Sequence, residues 1–295
     1  MSDLALIANQ LIWGVLVGVS YSLLAIAFSL IFATSGTVNF ATGEFAMVGA
    51  YFCYTVLSKL TGQVLFAVLI TLLSLFAFGM LVERLAFRRL YKLDPILILI
   101  ATIGISTMLK NLVLIIWGPF SKSLPPLVSA DPIAFGPIIL VPQNLVLLAV
   151  GLATMVVFHA FMNYTRLGTA MRATAQNVKG ASLVGINTAR CVNLTWAIGS
   201  VVAGIGGILI AFAYNLSIDM GGLIGIKGFA SAITGGFGNI LASTYGGMVL
   251  GVAENLAGGL ISFYYKDVIA FGFIVLILFL RPSGLFVAPS RVRKV

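Results

Sequence analysis

Apolar residues run through this chain in long blocks with little polar punctuation. Residues 4–43, 60–82, 132–165, 191–218 and 228–253 contain no Asp, Glu, Lys or Arg. About 20 apolar residues cross the hydrocarbon core of a bilayer as a helix, so several blocks must hold one span and some hold two. A membrane barrel would alternate apolar and polar residues in segments of about ten. These blocks do not alternate, which predicts helices near residues 9–33, 40–58, 64–87, 95–117, 143–163, 193–214, 225–238, 241–262 and 268–281. The expected fold is all-α, a polytopic transmembrane helical bundle of 8–9 spans in a single domain covering residues 1–295.

Two apolar regions look interrupted by glycine and small polar residues: Thr34 to Gly43, and Met220 to Gly228 followed by Thr234 to Asn239. Proline does not make these breaks, because six of the nine prolines lie between Pro119 and Pro142 and predict an extended surface loop there. The seventh span, at about 14 residues and 1.5 Å each, covers about 21 Å of a core about 30 Å thick, so it is expected to be broken or re-entrant. Four spans precede the proline loop and four follow a polar segment at 166–190. In each set a long span leads into a glycine-interrupted short one, a pattern compatible with an inverted repeat.

Composition agrees with the pattern. Hydrophobic residues make up 60% of the chain and charged residues 8%, with mean hydropathy +1.13, against about 25% charged in soluble domains. The net charge of +9 does not point to nucleic acid, because the basic residues sit at segment ends without an interleaved aromatic stripe. They form three clusters: Arg84, Arg88, Arg89 and Lys92; Arg166, Arg172, Lys179 and Arg190; and Arg281, Arg291, Arg293 and Lys294. The positive-inside rule places these in the cytoplasm, with the N-terminus out and the C-terminus in. MSDLALIANQ lacks the basic stretch of a signal peptide, so the first apolar run is expected to be retained. Cys53 and Cys191 have no metal-ligand spacing and read as buried free thiols.

Candidate chemistry is sparse. Glu44 follows the first break and Glu254 lies in LGVAENLAG. An acid at mid-membrane costs about 2.5–3.5 kcal/mol on insertion scales, so each needs a partner, a proton or a place near the surface. Each reads either as a gate or path residue or as an interhelical hydrogen bond. With the glycine breaks they nominate Asn39, Thr42, Gly43, Glu44, Gly235, Gly236 and Glu254 as a substrate path or gate. Lys227 could pair with an acid such as Glu254 but is expected to snorkel outward. His159 receives no role. Gly14 with Gly18 and Gly247 with Gly251 are GxxxG pairs, of a kind expected by chance among 32 glycines. There is no G-x-x-x-x-G-K-[ST] phosphate loop, no metal-spaced cluster and no nucleophile with a base, so no catalytic residue, metal or cofactor is expected.

The polar segment RLGTAMRATAQNVKGASLVGINTAR, Arg166 to Arg190, is too polar for lipid and too patterned for a linker. Met171, Thr174, Ala175, Val178, Ala181 and Ser182 recur at helical steps as one small apolar face, with Arg172, Gln176 and Lys179 on its rim. Small Ala and Thr anchor poorly in lipid, so this face is expected to enter a groove of a soluble partner.

At these residues the chain resembles the permease subunits of branched-chain amino acid ABC importers of the LivH type. The matching segments are VNFATGEFAMVGAY (38–51), LGTAMRATAQNVKGASLVGIN (167–187), GFASAITGGFGN (228–239), YGGMVLGVAENL (245–256), YKDVIAFGF (265–273) and LRPSGLF (280–286). The resemblance implies a permease of a bacterial inner (plasma) membrane. Its implied partners are membrane lipid, a second permease in a heterodimer, two cytoplasmic ATP-binding subunits and a periplasmic or extracellular solute-binding protein. It also implies that residues 164–192 form a cytoplasmic coupling loop, with Gly168, Met171, Arg172, Ala173, Ala175, Asn177, Gly180 and Gly185 engaging the ATPase. Ala173, Thr174 and Ala175 only approximate the Glu-Ala-Ala start of the general importer motif. Specificity is expected to reside largely in the external protein, since no polar site adequate for a zwitterion is visible. Two alternatives stay open: a related ABC permease for urea, amides or sugars, and an ion-coupled secondary transporter.

Overall fold

The computed structural model describes residues 3–92, 94–128, 131–135, 138–260 and 265–287. Among the described residues the regular structure is helical, apart from a short antiparallel hairpin, Ile133–Phe135 with Ile138–Leu140, in the proline loop, and an isolated bridge between Lys122 and Leu216. The helices are α1 (Asp3–Ser35), α2 (Thr42–Val56), α3 (Val64–Val82), α4 (Pro95–Trp117), α5 (Pro142–Tyr164), α6 (Arg166–Gln176), α7 (Val178–Leu183), α8 (Thr188–Ala213), α9 (Met220–Gly235), α10 (Ile240–Leu260) and α11 (Lys266–Leu280). Each of the nine expected spans falls on one of these helices. Five, at Leu6–Ser35, Val64–Phe87, Ile96–Trp117, Pro142–Tyr164 and Thr188–Ala213, are long and apolar enough to cross a membrane. The basic residues Arg291, Arg293 and Lys294 lie outside the described residues.

Local chemistry sets the helix starts. Asp94 accepts from the Ile96 amide at 2.9 Å and Pro95 occupies the first turn, which opens α4 where its orphan amides need a partner. Pro142 occupies the first turn of α5, which has no side-chain cap. Short π-helical turns extend α2 through Thr61 and α3 through Phe87.

Helix α1 is the axis of the bundle and packs against α8, α9 and α10. Its contact with α10 is made by glycine. Cβ atoms at Gly14 and Gly18 would stand 2.8 Å from Val252 Cα and 3.0 Å from Met248 Cα, so the backbones touch. The two GxxxG pairs thus face each other across one crossing and are not chance matches. Ser22 donates to the Thr244 carbonyl at 2.6 Å and Ser29 meets Ser243 at 2.5 Å, which fixes the register of that crossing. On the other side α8 receives α2 and α3, around a fully buried Trp196 stacked 4.4 Å from Phe87. Helices α3, α4 and α5 are largely exposed and apolar, as lipid-facing helices must be.

The glycine-rich stretch Met220 to Gly228, expected to break the seventh span, is continuous helix within α9. The non-helical segments lie on either side of it, at 214–219 and 236–239. The reason is packing: Gly221 and Gly225 abut Gly43 of α2, and Gly228 abuts Leu24 of α1, so these glycines allow close approach within a helix. The first expected break is present, with residues 36–41 non-helical and Gly36 at φ 70°.

Candidate functional site

The polar segment 166–190 folds into two short helices, each opened by a side-chain cap. Thr165 accepts from the Gly168 amide at 3.0 Å, Asn177 from Gly180 at 2.9 Å, and Asn187 caps the following α8 through Arg190 at 3.0 Å. Gly168 is required at the sharp turn of α6 onto α5, where a Cβ would lie 2.6 Å from Met162 Cα. Gly185 ends α7 at φ 84°, and Ile186 donates to the Ala181 carbonyl at 3.1 Å, the closing bond of a Schellman cap.

The expected small apolar face is divided: most of it packs inside the chain, while Val178 and Ser182 are exposed. Gly168, Met171, Thr174 and Ala181 are buried within the chain, and Ala173, Ala175 and Gly180 are half-buried. They seat α6 on α1, α5 and α8. Met171, carrying the largest side chain of the face, has more apolar surface to gain from the bundle than from water. Arg172, Asn177 and Gly185 are exposed. Arg172 donates to Asn163 Oδ1 on α5 at 3.0 Å, and Asn163 meets His159 at 2.7 Å, so part of its bonding is internal. The exposed apolar residues of the element are Leu167, Val178, Leu183 and Val184, the last two 87% and 77% exposed. Leu183 is the last residue of α7 and Val184 follows it, beyond the small-residue face that the sequence pattern marks.

Grooves flank this element on both sides. One of about 330 Å³ includes His159, Arg172, Gln176 and Asn239, and one of about 500 Å³ includes Glu83, Arg88, Tyr91, Val178 and Thr188. Both include Thr34 in the last turn of α1, so the first two basic clusters share one end of the bundle.

The seven nominated path residues do not form one site. Asn39 Oδ1 accepts from the Ala41 amide at 3.1 Å and Thr42 donates to the Asn39 carbonyl at 2.7 Å, which shapes the entry to α2. Gly43 abuts α9, and Glu44 accepts from Ser106 at 3.2 Å. Ser106 is midway along α4, so α2 begins near mid-height of the bundle. Gly235 and Gly236 stand apart, at the end of α9. There Leu285 and Phe286 donate to the Thr234 and Gly235 carbonyls at 2.9 and 3.1 Å, and Gly235 packs on Ala242 and Ser243. That distance along α9 from Gly221 is about 21 Å at 1.5 Å per residue. The C-terminal turn packs on Gly235 and Gly236 there.

Glu254 is fully buried and paired. Lys227 bridges it at 2.7 Å to Asp267 at 2.6 Å, with Lys266 at 3.4 Å and Tyr21 donating at 3.4 Å. Lys227 therefore does not simply snorkel outward: its ammonium ties α9 to α10 and α11. A buried carboxylate without a cation costs several kcal/mol, and two lysines offset that. Among the described residues, no group of His, Cys, Asp and Glu could hold a metal.

A family model described as the branched-chain amino acid transport system permease component matches residues 10–278. The chain is 33% identical over 296 residues to BraD, a high-affinity branched-chain amino acid transport system permease protein of Pseudomonas aeruginosa, covering 96% of both chains. It is 34% identical over 298 residues to LivH of Escherichia coli K12, again covering 96% of both. A probable LivH of Methanocaldococcus jannaschii is 28% identical over 286 residues, 90% of this chain and 86% of that one. No solved structure matches.

Proposed function

The chain belongs to the family of branched-chain amino acid transport system permease components, and from that membership we propose that it is the membrane subunit of an ATP-driven importer of aliphatic amino acids. It is a membrane protein and a transport subunit; ATP hydrolysis belongs to separate subunits. In this reading residues 1–295 are one permease domain of 8–9 spans, N-terminus out and C-terminus cytoplasmic. It pairs with a second permease, two ATP-binding subunits and an external solute-binding protein.

The observation that carries the proposal is the α6–α7 element: an exposed apolar tip on helices whose inner face is seated on α1, α5 and α8. A push on Val178, Leu183 and Val184 by a closing ATPase passes through Met171 and Thr174 to the axis of the bundle. Gly168, Arg172, Ala173, Ala175, Asn177, Gly180 and Gly185 then shape and brace the coupling element, and Leu183 and Val184 make the contact. An inverted repeat gains support from the packing pattern. α1 packs on α9 and α10 as α8 packs on α2 and α3, and the short helices α2 and α9 cross at Gly43 and Gly225. A solute path along that crossing uses Asn39, Thr42, Gly43 and Glu44; Glu254 acts as an ionic brace and Gly235 and Gly236 as a cytoplasmic hinge.

The test is purification of the tagged chain in mild detergent. The expected result is recovery with a second permease and two ATPases, and ATP-dependent leucine uptake when the complex and its binding protein are reconstituted. Uptake by the chain alone on an ion gradient, without ATP, would overturn it.

A further inference from the structure

Glu44 is 3% exposed, and only one of its oxygens is satisfied. Oε1 accepts from Ser106 at 3.2 Å; Oε2 faces Gly221 and has no hydrogen-bond partner. A buried carboxylate with an unfilled acceptor calls for a cation or a proton. Ser106 and Gly221 both line a cavity of about 210 Å³, whose other walls include Phe40, Ile103, Gly222 and Ile226. That volume is about seven times the ~30 Å³ share of one water, the scale of a small metabolite.

Beside the cavity α4 carries an exposed polar stripe. Along α4 the exposed residues Thr107, Lys110 and Asn111 follow Ser106, and Lys110 pairs with exposed Asp219 at 2.5 Å. Polar groups at membrane depth are tolerated where protein or water covers them. Ser106 stands on the cavity wall and the Glu44 carboxylate lies directly behind it, enclosed against Gly221, and this pair is too poor in oxygens for a hard metal ion, which takes 6 or more. It is also too poor for a sugar, whose hydroxyls need many partners. The set suits an ammonium beside an aliphatic side chain.

We propose that Glu44 and Ser106 seat the ammonium group of an aliphatic amino acid at the junction of α2, α4 and α9, with Phe40, Ile103 and Ile226 around its side chain. The proposal rests on the import reading above and deepens it. Lys110, one helical turn from Ser106 on the same face, is held by Asp219, so this ion pair keeps the rim of the cavity polar. Gly221 and Gly222 let the solute approach the backbone of α9.

The experiment uses the whole complex in lipid nanodiscs and proteoliposomes, with radiolabelled leucine as probe. Equilibrium binding without the binding protein and ATP-driven uptake with it are measured for wild type, Glu44→Gln and Gly222→Leu. Gly222 lines the cavity and has open space around the position of a Cβ, so a side chain can be added there without a clash at its base and narrows the cavity mouth. Both variants are expected to co-purify with their partners and to lose binding and uptake by roughly tenfold or more. Isocaproate, which keeps leucine's side chain and carboxylate without the ammonium, is expected not to compete. If Glu44→Gln fails to assemble, Gly222→Leu decides. Binding and uptake that match wild type in the assembled variants, or competition by isocaproate equal to that of isoleucine, overturn the site alone. A wild-type complex that hydrolyses ATP and imports no amino acid overturns the import reading and the site with it.

Discussion

Lys227 and Glu254 illustrate how single residues are decided by their neighbours. Lys227 reaches Glu254, 0% exposed, and Asp267 at once, so its removal leaves a buried carboxylate with only longer contacts, to Lys266 and to the Tyr21 hydroxyl, both at 3.4 Å. Lys227→Met is expected to cost about 3 kcal/mol, the low end of the range for a broken buried pair. The double variant with Glu254→Gln should recover most of the loss, because no uncompensated charge remains. Thermal unfolding in detergent checks both. At Gly251 a Cβ would overlap the backbone of Gly18, which cannot rotate away. Gly251→Ala should therefore cost at least about 1–3 kcal/mol by overpacking. Gly104→Ala, with nothing within 4 Å, should be neutral or slightly stabilising in the same assay.

The α6–α7 pair behaves as an element rather than as a set of contacts. Its inner face is anchored, its turn is held by Gly185 in the left-handed region, and its tip is apolar and exposed. Leu183→Asp should lower ATP-driven uptake roughly tenfold, the scale of an interface hot spot, while the chain still inserts. Uptake and ATPase rate measured together on the purified complex check this; unchanged coupling would remove Leu183 from the contact. Arg172→Ala should act more weakly, through a looser α6, since the guanidinium is held by Asn163.

For the whole molecule the arrangement of ends is the testable quantity. The basic turn around Arg88 and the α6–α7 element share one end of the bundle. At the other, Lys122 bridges Leu216 and Trp117 donates to Thr55 at 2.6 Å. Single cysteines at Lys179 and Ser121 should therefore label with a membrane-impermeant maleimide from opposite sides, Lys179→Cys only in inverted vesicles. Cys53 and Cys191 are buried and should contribute little background.

Membrane class, helix positions and family were legible in the sequence because they follow from composition, apolar block length and local motifs, which neighbours in space do not alter. The first break at Gly36 belongs to the same local chemistry. Which face of α6 turns inward, whether the Met220 to Gly228 glycines break or pack, and which cation meets Glu254 were not legible. Each depends on a surface brought in from a distant part of the chain: α1 beneath Met171, Gly43 against Gly225, and Lys227 beside Glu254. Close backbone approach and buried charge pairing are pairwise quantities between remote segments, so only the tertiary structure decided them.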